Sequence, residues 1–216
     1  VENGGVNAVI TEDSDLVAYG CTSILFKCSP EGCVQELRKE RLFGPSEPIL
    51  EAHLREENTQ SRSKDTFVRF DDWTDDQMCL LCILSGCDFL PSLVGMGFKT
   101  AYALVKQGKT VEKTLAMMKT HARWSTLMTD EYADSVKKAF ETFRYSLVYD
   151  KKLSKAVHLQ DLPEHLCDQG YDHLGPPMDP DAIYKIAHGI INPSSKEEYQ
   201  ISTKNHGQWH EARQQP

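Results

Sequence analysis

Three aspartates are the residues of this chain whose type and spacing could support metal-dependent chemistry. Asp13 and Asp15 flank a serine directly after residues 6–10, an apolar run that predicts a buried parallel strand. Two carboxylates in such a turn could hold or bridge Mg²⁺, a hard cation that prefers oxygen ligands. The alternative is a solvated turn in which Asp15 caps the next helix, and the spacing of the two acids alone favours that alternative.

Asp88 is the third candidate, and it follows the predicted end of an apolar helix. The run Thr74-Asp75-Asp76-Gln77 is typical of a capping box, and the helix that it starts is predicted to extend to about Ser85. A carboxylate beyond a helix C-terminus faces the unfavourable end of the helix dipole, so a nearby cation would compensate. The alternative is a turn residue that makes only local hydrogen bonds.

The segment from Ser85 to Ala101 combines two glycines with the start of a new helical pattern. Gly95 and Gly97 would both allow positive φ angles and a close approach of the backbone to a ligand. Because a turn that ends at a helix N-terminus presents amide N–H groups suited to phosphate, the segment could be a helix-hairpin-helix that grips a DNA backbone. An ordinary connection between two core helices is the alternative, which this segment alone favours.

Positive charge is concentrated around the predicted hairpin, although the whole chain has a net charge of −8. Residues 91–125 carry a net charge of +5, with Glu112 as the one acid. Such a cluster favours a nucleic-acid surface over a solvated helix face. No apolar run approaches the roughly 18–20 residues that a membrane span needs, so we expect no membrane partner. The cationic residues are Lys99, Lys106, Lys109, Lys113, Lys119 and Arg123.

The remaining pattern predicts a mixed α/β chain without internal repeats. Residues 22–27 and 33–37 are expected to form a strand pair, and residues 157–159 a short extended piece. Helical periodicity is predicted over residues 111–124, 130–149 and 179–189.

Together, the two motifs resemble the internal domain of the flap-endonuclease superfamily, the XPG-type 5′ nucleases. The resemblance rests on Ile10-Thr11-Glu12-Asp13-Ser14-Asp15-Leu16, on residues 83–97 around Ser85-Gly86-Cys87-Asp88, and on short matches at residues 144–145, 174–176 and 187–189. It covers nearly the whole chain except about residues 44–65, which look inserted.

This resemblance implies an α/β fold with a helical second part. Residues 1–72 would be the C-terminal half of a PIN-like 5′-nuclease core, and residues 73–149 a helical helix-hairpin-helix (H3TH) DNA-binding region. Residues 150–216 would form a tail that packs back on the core and ends in disorder.

The resemblance also implies the roles of individual residues. Asp13, Asp15 and Asp88 would be catalytic carboxylates that hold a pair of Mg²⁺ ions for in-line attack on a phosphodiester. A K⁺ ion that touches a DNA phosphate would be bound at the hairpin by Ser85, Ser92 and the Met96 carbonyl. Contacts with the duplex backbone would come from Gly95, Gly97, Lys99 and Thr100.

The implied function is that of a Mg²⁺-dependent 5′→3′ double-stranded DNA exonuclease and 5′-flap endonuclease of nuclear DNA repair. Its partners would be double-stranded DNA with nicks, 5′ ends or flaps, together with mismatch-repair proteins. The family draws further carboxylates from an earlier region, whereas residues 1–5 resemble the end of a helix with its glycine stop, so we expect an incomplete chain that cuts weakly or not at all. The alternative is a non-catalytic DNA-structure-binding module. A Mg²⁺-dependent phosphatase is disfavoured by the hairpin and by the cationic cluster.

Overall fold

The computed structural model describes residues 6–44, 68–167, 172–176 and 178–199. The chain divides into two compact units, Val1–Arg144 and Tyr145–Pro216. Helices and small sheets alternate in the order that the sequence predicts for a mixed α/β chain. Nearly all of the predicted insert and the last residues lie outside the described parts, and the three-part domain division stays a prediction. Within those parts, no helix has the length and apolarity that crossing a bilayer requires.

The first unit opens with a three-stranded sheet of β1 (Val9–Ile10), β2 (Ser23–Phe26) and β3 (Gln35–Arg38). β1 pairs with β2 in parallel and β3 pairs with β2 antiparallel, which confirms the predicted strand pair. The parallel strand predicted over residues 6–10 is confirmed in its pairing, but its predicted length and burial were wrong, because β1 has two residues and Ile10 is 65% exposed. The central β2 instead carries the buried position, Ile24.

Two short helices connect this sheet to the rest of the first unit. α1 (Asp15–Ala18) lies in the crossover between the parallel strands β1 and β2, and the turn that follows it includes Gly20, whose φ is +77°. The helix α2 (Lys39–Phe43) follows β3 directly. Its first residue forms an ion pair with Asp75 at 2.6 Å, which ties the sheet to the helix that begins there.

The central helix, α3 (Asp75–Ser85), begins and ends where the sequence predicts. Gln77 N–H donates to Thr74 Oγ1 at 3.2 Å, and Thr74 N–H donates to Gln77 Oε1 at 2.9 Å, so the predicted capping box is confirmed. Most of the helix is apolar and buried on all sides, as expected of a helix at the centre of a core. Its buried residues are Gln77, Met78, Cys79, Leu80, Leu81, Ile83 and Leu84.

Three further helices complete the first unit: α4 (Phe98–Gly108), α5 (Val111–Thr120) and α6 (Asp130–Tyr145). The helical pattern predicted to start at the end of the Ser85–Ala101 segment is confirmed as α4, in which Ala101, Leu104 and Val105 are buried. Two predicted ends were wrong. The chain leaves the helix after Thr120 and continues in turns, and α6 ends at Tyr145 because the following residues form a strand.

The second unit contains a β-hairpin and one helix among its described residues. β4 (Leu147–Asp150) pairs antiparallel with β5 (Lys155–His158), which places Leu147 in a strand and not on the predicted helix face. α7 (Pro180–Ala187) starts as predicted. The Asp179 side chain accepts hydrogen bonds from the N–H groups of two residues in its first turn.

Candidate functional site

The turn after β1 holds two of the three predicted acids in fixed positions. Asp13 N–H donates to Thr11 Oγ1 at 3.0 Å, and Asp15 N–H donates to Asp13 Oδ1 at 2.9 Å. These are the local side chain to backbone bonds that Thr and Asp typically make in turns. Glu12 faces another way, since its Oε1 accepts a hydrogen bond from Lys27 N–H at 2.7 Å. The turn therefore separates Glu12 from the two aspartates.

Asp88 lies at the tip of a tight turn directly after α3. Gly86 ends the helix with a φ of +104°, a value that favours glycine. Cys87 N–H then donates to the Leu90 carbonyl at 3.0 Å, and Leu90 N–H donates back to the Cys87 carbonyl at 3.2 Å. This paired bonding leaves Asp88 projecting from the end of the turn.

The two acidic turns meet. Asp88 N–H donates to Asp15 Oδ2 at 3.3 Å, a contact between residues 73 positions apart in the sequence. Because Asp15 N–H also binds the Asp13 carboxylate, one chain of hydrogen bonds connects the three aspartates. The prediction that these residues converge is supported by this geometry, whereas their catalytic and metal-binding roles stay predictions.

The environment of Asp15 is unfavourable for its negative charge. Partial burial raises the pKa of Asp15, and the charges of Asp13 and Asp88 raise it further, against the opposing effect of the Asp88 N–H. A bound cation would relieve this repulsion, and three carboxylates supply the oxygen donors that Mg²⁺ prefers. Within the described residues, however, no group of three or more His, Cys, Asp or Glu side chains is arranged to hold a metal ion. The carboxylate oxygens are thus suitable ligands for Mg²⁺, but the described residues do not form a complete metal-binding site.

Three aromatic residues that the sequence analysis missed support this site. The Phe143 ring makes edge-to-face contacts with Tyr19, at 4.8 Å between centroids, and with Phe89, at 5.0 Å. Tyr19 is four residues after Asp15, and Phe89 follows Asp88. Burial raises the pKa of Tyr19, as do the negative charges of the three aspartates. The position of Tyr19 one helical turn after Asp15 is a signal that could have identified it.

The predicted hairpin glycines differ in conformation. Gly95 has a φ of +77° and occupies the third position of a turn closed by a hydrogen bond from Met96 N–H to the Leu93 carbonyl, at 2.8 Å. Gly97 has an extended backbone with a φ of −100° at the N-cap of α4. Gly95 therefore uses the positive φ angle that the sequence allows at both glycines, whereas Gly97 does not, and an added Cβ at Gly97 would meet open space.

The residues predicted to bind K⁺ lie around this turn. The Ser85 hydroxyl is buried and has no hydrogen-bond partner among the described residues. Ser92 lies beside Gly86, the residue that follows Ser85. A Cβ added at Gly86 would be 3.6 Å from Ser92 Oγ. Met96 packs its side chain into the core, so its carbonyl is the atom left for a ligand. Binding of K⁺ by these residues stays a prediction.

The residues predicted to contact the duplex border a groove. Lys99 and Thr100, in the first turn of α4, line an open groove of about 680 Å³ between α4 and α5. Its floor includes the apolar Met117 and Trp124, whereas His121 and Gln107 add polar groups. All six cations of the predicted cluster are exposed, although Lys119 forms an ion pair with Asp130 at 2.6 Å.

Comparison with known proteins supports the resemblance found in the sequence. Residues 1–88 match the XPG I-region family model, a span that contains all three aspartates. The predicted resemblance to the XPG-type nucleases is thereby confirmed.

The chain also resembles individual members of this class. It is 35% identical to exonuclease 1 of Oryza sativa subsp. japonica over 93% of this chain and 21% of the relative, and 32% identical to exonuclease 1 of Arabidopsis thaliana over 92% and 24%. It is 29% identical to flap endonuclease 1 of Phytophthora infestans over 70% of this chain and 34% of the relative. The chain thus spans between a fifth and a third of these relatives.

Proposed function

We propose that this chain is part of a Mg²⁺-dependent 5′ nuclease that hydrolyses phosphodiesters of double-stranded DNA at 5′ ends, nicks or flaps. The observation that carries the proposal is the Asp88 N–H bond to the Asp15 carboxylate, because it joins the two acidic motifs in one place. The names of the relatives, exonuclease 1 and flap endonuclease 1, support the same reaction class.

Asp13, Asp15 and Asp88 would hold the metal, which when bound activates a water and stabilises the leaving oxygen. The Asp88 backbone positions the Asp15 carboxylate, and the Asp15 backbone positions that of Asp13. The partial burial of Asp15 strengthens its electrostatic interactions, since water screens it less. Further carboxylates, which the family resemblance implies, would complete the ligand set.

The hairpin and its groove would hold the duplex by its backbone. The turn at Gly95 leads directly into the N-terminus of α4, the end of a helix at which backbone N–H groups point toward a ligand. Phosphate contacts of this kind fix the position of DNA without reading its sequence. We therefore expect binding that is similar for different sequences and falls steeply with salt.

A labelled 5′-flap duplex, with and without Mg²⁺, tests this proposal. We expect the chain to bind the flap substrate and Mn²⁺, a spectroscopic substitute for Mg²⁺, and Asp88→Asn to lose Mn²⁺ binding while keeping DNA affinity within about twofold. Any cleavage should require Mg²⁺ and be lost in the variant. Mn²⁺ binding by Asp88→Asn that equals the parent's would contradict the proposal.

The second candidate, a non-catalytic DNA-structure-binding module, is favoured by one observation. Among the described residues, the acids do not form a ready metal-binding group. On this alternative, flap DNA binds with unchanged affinity in the presence of EDTA, and substitution of Asp13, Asp15 and Asp88 together alters neither metal binding nor cleavage. The same assay therefore separates the two candidates.

The proposal also includes three more specific expectations that follow from the family resemblance. They are K⁺ binding at Ser85, Ser92 and Met96, action in nuclear DNA repair, and association with mismatch-repair proteins. Replacing K⁺ by a bulky organic cation at constant ionic strength should weaken duplex binding, with Ser92→Ala reducing the difference between the two salts.

A further inference from the structure

Arg123 covers the hairpin glycine. A Cβ built at Gly95 would lie 2.8 Å from Arg123 Cζ and would collide with Nη2, so the guanidinium occupies the space that a side chain at position 95 would fill. Glycine is thus required there for two reasons, the positive φ angle and the packing of Arg123. The structure places a permanent cation directly against the turn that leads into α4.

The residues next to Arg123 hold it in this position. Its guanidinium lies over the Trp124 ring, with Cζ 5.6 Å from the centroid. Its backbone N–H donates to His121 Nδ1 at 3.2 Å, and the His121 ring in turn packs on Trp124, with 4.3 Å between centroids. Because Nδ1 of His121 accepts this bond, the neutral ring carries its proton on Nε2, which can donate to a ligand.

The same residues continue into the groove between α4 and α5. Trp124 and His121 line it together with Lys99. The Trp124 side chain is almost fully buried, so it contributes an apolar wall against which His121 and Arg123 pack. Donors and cations therefore surround this end of the groove, and such a lining suits a phosphodiester.

We propose that Arg123 binds a backbone phosphate of DNA beside the Gly95 turn, with Trp124 supporting its guanidinium, and that His121 and Lys99 extend this contact into the groove. The ligand class is the phosphodiester of either strand, recognised by charge and without base readout. This inference rests on the proposed function of the hairpin as a duplex-binding element, and it adds Arg123 and His121, which the family motif did not supply.

Duplex binding by the full chain in EDTA, measured across a series of salt concentrations, tests the inference. Arg123→Gln should lower duplex affinity about tenfold and reduce the slope of log affinity against log salt by about 1, the loss of one phosphate contact. Lys138→Gln is the matched control. It removes one exposed charge on α6, outside the cationic cluster around the hairpin, and should change affinity less than twofold.

A second measurement covers the possibility that Arg123 acts only through packing. Arg123→Lys keeps the charge and should recover part of the slope of log affinity against log salt. If Arg123 had a purely structural role, the slope of Arg123→Lys would be as low as that of Arg123→Gln. Equal effects of Arg123→Gln and Lys138→Gln, with duplex binding intact in the parent, would overturn this inference and leave the proposed function standing. A parent chain that fails to bind duplex would instead overturn the proposed function.

Discussion

The acid site and the hairpin are neighbours in sequence, but they are built in opposite ways. The acid site joins two turns from distant parts of the chain through one hydrogen bond, and it collects like charges. The hairpin is a local turn, closed between Leu93 and Met96, with the cation of Arg123 already packed against it. On the proposed function, the acid site would gain its balancing cation only when a metal binds, whereas the hairpin already has a cation of the chain packed against it.

The largest expected effect comes from the ring that contacts the aromatic neighbours of the acid site. Phe143→Ala removes a fully buried side chain that contacts both Tyr19 and Phe89, and should lower the free energy of unfolding by about 3–5 kcal/mol. Urea denaturation measures this loss. Phe143→Leu keeps a large apolar side chain, should cost less than Phe143→Ala, and provides a folded chain for comparison. In that chain Mn²⁺ affinity should fall and duplex affinity should not. An equal loss of both would mean that the regions are not independent.

The second-largest expected effect is on cleavage and not on DNA affinity. Asp15→Asn should lower any Mg²⁺-dependent cleavage of a 5′-flap substrate at least about a hundredfold, because electrostatic stabilisation at the reacting centre is large. Duplex affinity in EDTA should stay within about twofold. Glu12→Gln is the control, since Glu12 binds the Lys27 backbone and points away from the site. A control that loses as much cleavage as Asp15→Asn would contradict the assignment.

The two hairpin glycines offer a matched pair for the DNA side of the comparison. Gly95→Val forces a β-branched residue into a positive φ angle and against Arg123, and should weaken duplex binding about tenfold. Gly97→Val meets open space with an extended backbone and should change affinity less than about threefold. Fluorescence anisotropy with a short labelled duplex distinguishes them. Similar losses in both variants would contradict the role assigned to the Gly95 turn.

The smallest effect is the stability of the metal-free chain as a function of pH. Because its pKa is raised above the ordinary value of 3.8, Asp15 favours the folded state only below that pH, and its contribution is lost as the pH rises through the raised value. Asp15→Asn should therefore be more stable than the parent at neutral pH, by about 0.5 kcal/mol, with no gain in strong acid. Thermal unfolding in EDTA measures the difference. A gain that persists below pH 3 would exclude charge as its cause.

The sequence predicts best what short-range chemistry determines. The capping box of α3, the end of that helix at Ser85, the turn at Gly95 and the Asp179 cap of α7 each depend on residues within a few positions of one another. The pattern did not distinguish Gly97 from Gly95, because glycine allows both extended and positive φ conformations.

Other features depend on distant partners and could not be read from local pattern. Leu147 continues the apolar spacing of α6, but pairing with His158 draws it into a strand. Ile10 has the composition of a buried strand, yet it lies at the edge of the described sheet. The packing of Arg123 on Gly95 crosses 28 residues, and the meeting of Asp15 with Asp88 followed from the family resemblance and not from either motif alone.

A double-mutant cycle between Asp15 and Asp88 on Mn²⁺ affinity tests the central claim most directly, because it asks whether the two acidic motifs form one metal site. If they do, Asp15→Asn and Asp88→Asn each remove most of the Mn²⁺ binding seen by electron paramagnetic resonance, and the double variant loses little more than either one. Losses that add independently, or single variants that bind Mn²⁺ as the parent does, would contradict a shared site.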